Sequence, residues 1–192
     1  MTAENSFKDT KEEKQLFTAK DITLIAMFAA FIAVCSYISI PLGPVPFTLQ
    51  TFAVFVVAAI LGTKRGTLTV IIYILVGAIG IPVFNGAGGV GVLAGSTGGY
   101  ILGFILTALT VGLMNDYIKL KNHGARMALM AGSMLIGDVL CFIVGTIHFM
   151  NLTEMNLATS LSYCVIPFII PDIAKIIVAT IFVDRVKKYV RL

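Results

Sequence analysis

Three ionisable residues stand inside otherwise apolar runs of this chain: Asp138, Asp172 and Lys175. An intramembrane charge is costly and marks a functional position by default. Asp172 and Lys175 are spaced i, i+3, so a helix carries them on one face within reach of each other. Two readings of the pair stand side by side. It is a structural ion pair that ties helices together, or it is the polar end of a site for a small polar molecule. The second is preferred, because two helix-breaking segments cap the same end of the chain's apolar runs. One is Pro41–Pro46, with three prolines; the other spans 83–99, with seven glycines in 17 residues. Glycine lets a backbone approach a ligand closely, so the second segment, with Gly88 and Gly89 at its centre, is read as a lid. A flexible outer loop is the alternative. Within it, Asn85 offers both a donor and an acceptor.

Other chemistry is not encoded in recognisable form. Gly62-Thr-Lys-Arg-Gly-Thr67 fails the spacing of a phosphate-binding P-loop, and neither HExxH nor GxSxG occurs. Cys35, Cys141 and Cys164 lack metal or redox spacing and read as small buried hydrophobes. His123 and His148 have no partner at ligand spacing. The expectation is therefore no metal, no cofactor and no enzyme activity.

The elements that must position these residues follow from composition. Of the 192 residues, 58% are hydrophobic types and 12% are charged, against roughly 45–50% and about 25% in a soluble domain. Such a chain is an all-α integral membrane protein. The apolar runs predict six transmembrane helices, over about 21–40, 47–61, 67–81, 98–118, 127–150 and 165–183. The second and third are short for a span, and a tilted or re-entrant course suits them. Residues 151–163 are moderately amphipathic and read as a short surface helix. The expected organisation is a tail (1–20), a six-helix domain (21–184) and a second tail (185–192). The polar first 20 residues do not read as a removable leader.

Net charge is +4, yet the basic residues cluster at span ends and form no phosphate-tracking face, which argues against nucleic acid. With six spans, all of the 14 basic residues except Lys175 fall on one side. By the positive-inside rule that side is cytoplasmic, and it holds both termini. In the first span, Ala26/Ala30 and Ala29/Ala33 make small-xxx-small pairs that permit close helix approach. Packing within the bundle and docking of a partner helix are both open. Gly95, Gly99 and Gly103 form a second such ridge, read as internal.

Three motifs in this order resemble the BioY family: Pro44-Val-Pro-Phe-Thr-Leu-Gln50, Gly95-Ser-Thr-Gly-Gly-Tyr100 and Pro167-Phe-Ile-Ile-Pro-Asp-Ile-Ala-Lys175. BioY proteins are the biotin-specific S components of energy-coupling-factor (ECF) transporters, and the likeness covers about residues 21–188. It implies an S-component bundle in the bacterial cell membrane that binds biotin on the outer side. It also implies partners: a transmembrane coupling protein (EcfT) and two cytoplasmic ATPases that hydrolyse the ATP. Ala26, Ala29, Ala30 and Ala33 look like the family's docking face for the coupling protein. Ser96 stands where the family usually has proline, a change expected to loosen the lid. Pro171 stands where it usually has glycine, and 137–145, which includes Asp138, is the least family-like stretch.

Biotin's ureido ring carries two N–H donors and a carbonyl, and its tail ends in a carboxylate. The resemblance implies that Asp172 accepts from a ureido N–H and Asn85 meets another ureido edge. Lys175 either balances Asp172 or meets the ligand's carboxylate, and Tyr100, Tyr163 and Phe47 wall the apolar part. An S component for another vitamin would be expected to use tryptophan stacking, and the chain has none. A membrane scaffold that binds no small molecule is the alternative from outside transport.

Overall fold

The computed structural model describes residues 18–41 and 43–189. Most of the expected first tail and residues 190–192 of the second lie outside the described residues, with Lys8, Lys11, Lys14 and Arg191 among them. Among the described residues, five helices are long and apolar enough to cross a membrane: α1 (Ala19–Tyr37), α2 (Gln50–Ala78), α4 (Gly98–Tyr117), α5 (His123–Thr153) and α7 (Ile166–Tyr189). Two short helices, α3 (Val90–Ala94) and α6 (Leu157–Cys164), and a two-residue strand pair complete the order. The molecule is a mostly helical, multi-span membrane protein.

The expected second and third spans run on as α2, without the five-residue break that the sequence suggested. A single residue interrupts it: Gly62, at φ 75° and ψ −172°, is in a region that only glycine enters without strain. The two arms of α2 do not continue as one rod. The Gln50 side-chain amide donates to the Tyr73 hydroxyl, although 23 positions of straight helix would separate them by about 35 Å. A Cβ on Gly66 would stand 2.9 Å from the Ala58 Cα. The chain therefore doubles back at Gly62, and arms 50–61 and 63–78 lie side by side. The Asp116 carboxylate accepts from the Thr63 backbone N–H and hydroxyl, at 2.7 Å each. An acid at a helix N-terminus satisfies its unpaired donors and its dipole.

The proline segment is a hairpin. β1 (Ser39–Ile40) pairs antiparallel with β2 (Phe47–Thr48), Ser39 opposite Thr48. Phe47 is thus extended, and helix α2 starts three residues later than the apolar run. At the start of α1, Thr18 and Asp21 form a reciprocal capping box. The Asp21 carboxylate also meets Arg65 at 2.9 Å, which joins α1 to the turn of α2.

Small residues bring α4 and α5 together. A Cβ on Gly103 would lie 2.9 Å from Cys141 Sγ, and one on Gly137 would lie 3.1 Å from Thr107 Cα. The Thr107 hydroxyl donates to the Gly137 carbonyl at 2.8 Å. Close backbone approach of this kind drives helix association where water cannot. Gly99 also faces α5, against His148, whereas Gly95 ends α3 and is not part of that ridge.

The two ends of the bundle differ. At one, Asp184 accepts from His123 at 2.9 Å and meets Lys188 at 3.4 Å. At the other, three loops meet. The Tyr37 hydroxyl donates to the Pro82 carbonyl, Ser39 Oγ to Asn85 Oδ1 at 2.9 Å, and Ser96 Oγ to the Pro44 carbonyl at 3.2 Å. Ser96 thus ties the lid to the proline hairpin.

Candidate ligand-binding site

Below those loops lies a cavity of about 250 Å³. Every long helix except α1 lines it, together with residues of all three loops. Pro171 sits inside α7 and leaves the Pro167 carbonyl without its helical donor. One turn on either side of it, Phe168, Asp172 and Lys175 face the cavity.

Lys175 Nζ lies 2.7 Å from Asp172 Oδ1, with the two side chains 6% and 5% exposed. At that distance the ammonium holds Asp172 Oδ1 directly. The same ammonium stands 4.0 Å over the ring of Phe47, a cation–π contact that a desolvated cation favours. Phe47 stacks in turn on Phe168, centroids 6.5 Å apart. Asp138 of α5, only 5% exposed, enters the same cavity. Two carboxyl groups and one ammonium are thus gathered in a chamber whose other walls mix apolar side chains with Thr48, Gln50, Thr51, Asn85 and Thr97.

Asn85 holds a left-handed φ of 53°, which asparagine tolerates better than most residues. Its backbone N–H donates to Ser36 Oγ at 3.1 Å, and its side-chain oxygen accepts from Ser39. The Nδ2 group has no protein acceptor among the described residues and remains free for a ligand carbonyl. Tyr100 lines the chamber; its hydroxyl is 3.4 Å from Thr146 Oγ1, and its ring meets Phe142 edge-on.

The remaining expected residues fall elsewhere. Phe47 backs Lys175 and is not itself a wall of the chamber. Tyr163, 46% exposed, is on α6 outside the lining. Gly88 and Gly89 approach the chain's own backbone. A Cβ on Gly88 would meet the Ile81 carbonyl at 2.4 Å, and the Gly89 N–H donates to the Gly77 carbonyl at 2.7 Å. They fasten the lid to α2, and their neighbours Asn85 and Ala87 face the chamber. Ala26 and Ala30 are exposed on α1, while Ala29 and Ala33 are half-buried against the core.

Sequence reasoning missed Gln50, Thr48, Phe104, Cys141 and Cys164 in the lining. Gln50 was visible as the last residue of the proline motif. Its oxygen accepts from Thr48 at 3.1 Å, its amide donates to Tyr73, and Tyr73 donates to the Val83 carbonyl at 3.0 Å. This relay links the hairpin to the lid beneath the cavity. Phe104 and the cysteines carried no signal, since they resemble any other apolar residue of a span.

The profile of the BioY family matches residues 9–192. The biotin transporter BioY of Thermotoga maritima is 43% identical over 163 residues, covering 84% of this chain and 92% of that protein. The probable biotin transporter BioY of Pyrococcus horikoshii is 36% identical over 170 residues, covering 88% and 97%. In structure, the chain is similar to the crystal structure of the S-component for biotin from an ECF-type ABC transporter. The TM-score is 0.80 at 29% identity, with 89% of this chain and 92% of that one covered. The chain belongs to the BioY family.

Proposed function

We propose that this chain is the biotin-binding S component of an ECF-type transporter, which captures biotin in the 250 Å³ chamber for ATP-driven uptake. The observation that carries the reading is the buried Asp172–Lys175 pair standing in the lining of the chamber. A ureido N–H donates to the Asp172 carboxylate. Asn85 Nδ2 donates to the ureido carbonyl, and Asp138 offers an acceptor to the second N–H. Tyr100, Phe104, Phe142 and Phe168 enclose the apolar bicycle and chain, as suits a pocket of mostly apolar walls with a few polar anchors. Lys175 holds the Asp172 carboxylate in place, and its side chain is committed to that acid and to Phe47.

In the membrane the arms of α2 serve as two short crossings, which makes six. The basic end, with both termini, is cytoplasmic, and the looped end with the chamber faces outward. Ala26 and Ala30, on the outer face of α1, are the small residues against which the transmembrane coupling protein packs, and two cytoplasmic ATPases drive the cycle. Thermal unfolding in detergent tests the ligand. Biotin at about 100 times its Kd stabilises the protein by about 2.7 kcal/mol, while thiamine and riboflavin leave the midpoint unchanged. A scaffold responds to none of the three.

A further inference from the structure

A second cavity, of about 340 Å³, opens at the basic end between α4, α5 and α7. Four cations line it: Lys119 just after α4, Arg126 in the first turn of α5, and Lys187 and Lys188 in the last turn of α7. One carboxylate, Asp184, lies among them. It accepts from His123 at 2.9 Å and meets Lys188 at 3.4 Å and Arg126 at 3.9 Å. Lys119 and Lys187 have no acid within ion-pair distance among the described residues. The other nearby carboxylate, Asp116, is engaged by Thr63. Ile118, Leu120, Leu129 and Met130 add apolar side chains to the lining.

Positive charge from three helices converging on one space, against a single acid, fits a compact multivalent anion. A phosphate group has the oxygens to bridge cations on separate elements, and strong charge-assisted bonds reward it. The apolar part of the lining suits carbon attached to that phosphate. We propose that this cavity binds a phosphate group, supplied by the headgroup of an anionic phospholipid or by phosphate from the aqueous phase. Basic pockets between transmembrane helices hold anionic headgroups by the same physics. The inference does not depend on what the chamber at the other end binds.

Native mass spectrometry of the detergent-purified protein tests it, with phosphatidylglycerol and phosphatidylcholine of identical acyl chains as probes. Thermal unfolding with inorganic phosphate is the second arm. The expected result is a preference for phosphatidylglycerol that falls about 30-fold in Lys119→Gln/Lys187→Gln, at roughly fivefold per cation. Lys119→Arg/Lys187→Arg retains the preference, and so does Lys64→Gln, an exposed lysine outside the cavity. Circular dichroism confirms that each variant is folded. If inorganic phosphate alone stabilises the wild type and not the double Gln variant, with no lipid preference, the phosphate site stands and its source is aqueous. If the double Gln variant and Lys64→Gln respond as the wild type does to both probes, the proposal is overturned.

Discussion

Asp172 and Lys175 are each other's neighbours in the chamber, and that fact divides their structural from their functional contribution. A charge buried without its partner costs about 3–5 kcal/mol, whereas removing both charges together is often neutral. Lys175→Met alone is therefore expected to lower stability by that amount in chemical unfolding. Asp172→Leu/Lys175→Met should recover most of the loss and still fail to bind biotin. A double variant that is both stable and fully competent for biotin would make the pair a helix tie and nothing more. The pair was legible in the sequence because charge inside an apolar run is conspicuous whatever the fold. Asn85 was legible as the amide in a glycine-rich segment. Phe104, Cys141 and Cys164 were not, because apolar residues look the same whether they line a chamber, fill a core or face lipid.

At the scale of elements, the same chemical sameness explains what the sequence left open. Membrane helices are apolar on all sides, so periodicity does not separate a core face from a lipid face. This is why all four alanines of α1 were grouped together. The structure separates them: Ala29 and Ala33 pack on the core, and Ala26 and Ala30 look away from it. The outward pair supports a docking role with a clear outcome. Ala26→Leu/Ala30→Leu should leave biotin binding unchanged, since α1 does not line the chamber. Co-purification with the coupling protein should fall at least tenfold, because bulk there holds two helices apart. Unchanged co-purification would place the docking surface on another element. Element boundaries were harder to read than element existence. The proline hairpin took Phe47 from a predicted helix, since prolines and a turn favour extended pairing over helix initiation.

For the whole molecule, the decisive feature is the reversal at Gly62. A run of 29 helical residues reads as one long span when taken as a rod, and as two short ones when folded back. The sequence suggested two spans from the interruption at 62–66, and the contacts of Gln50 with Tyr73 and of Gly66 with Ala58 show antiparallel arms. The proposed topology then puts Lys64 on the cytoplasmic surface and Val90 on the outer one. A membrane-impermeant maleimide should label Val90→Cys in intact cells and Lys64→Cys only in inverted vesicles. The three native cysteines are buried and give little background. Labelling of Lys64→Cys in neither preparation would place it in the bilayer, as a single α2 crossing requires. The segregation of basic residues was legible at this scale because it is a property of loops, which composition reports directly. The joining of the three outer loops by Ser39–Asn85, Ser96–Pro44 and Tyr37–Pro82 was not, since it depends on how distant turns meet.

The central claim is that the chamber beneath those loops is a biotin site anchored on Asp172. Equilibrium binding of radiolabelled biotin to the detergent-purified protein tests it most directly, with Asp172→Asn measured in parallel. The account predicts saturable, nanomolar binding with one site per chain, weakened at least 100-fold in Asp172→Asn, consistent with loss of about 3 kcal/mol from a charged hydrogen bond. Equal affinity in the two proteins, or no binding by folded wild type, would contradict it.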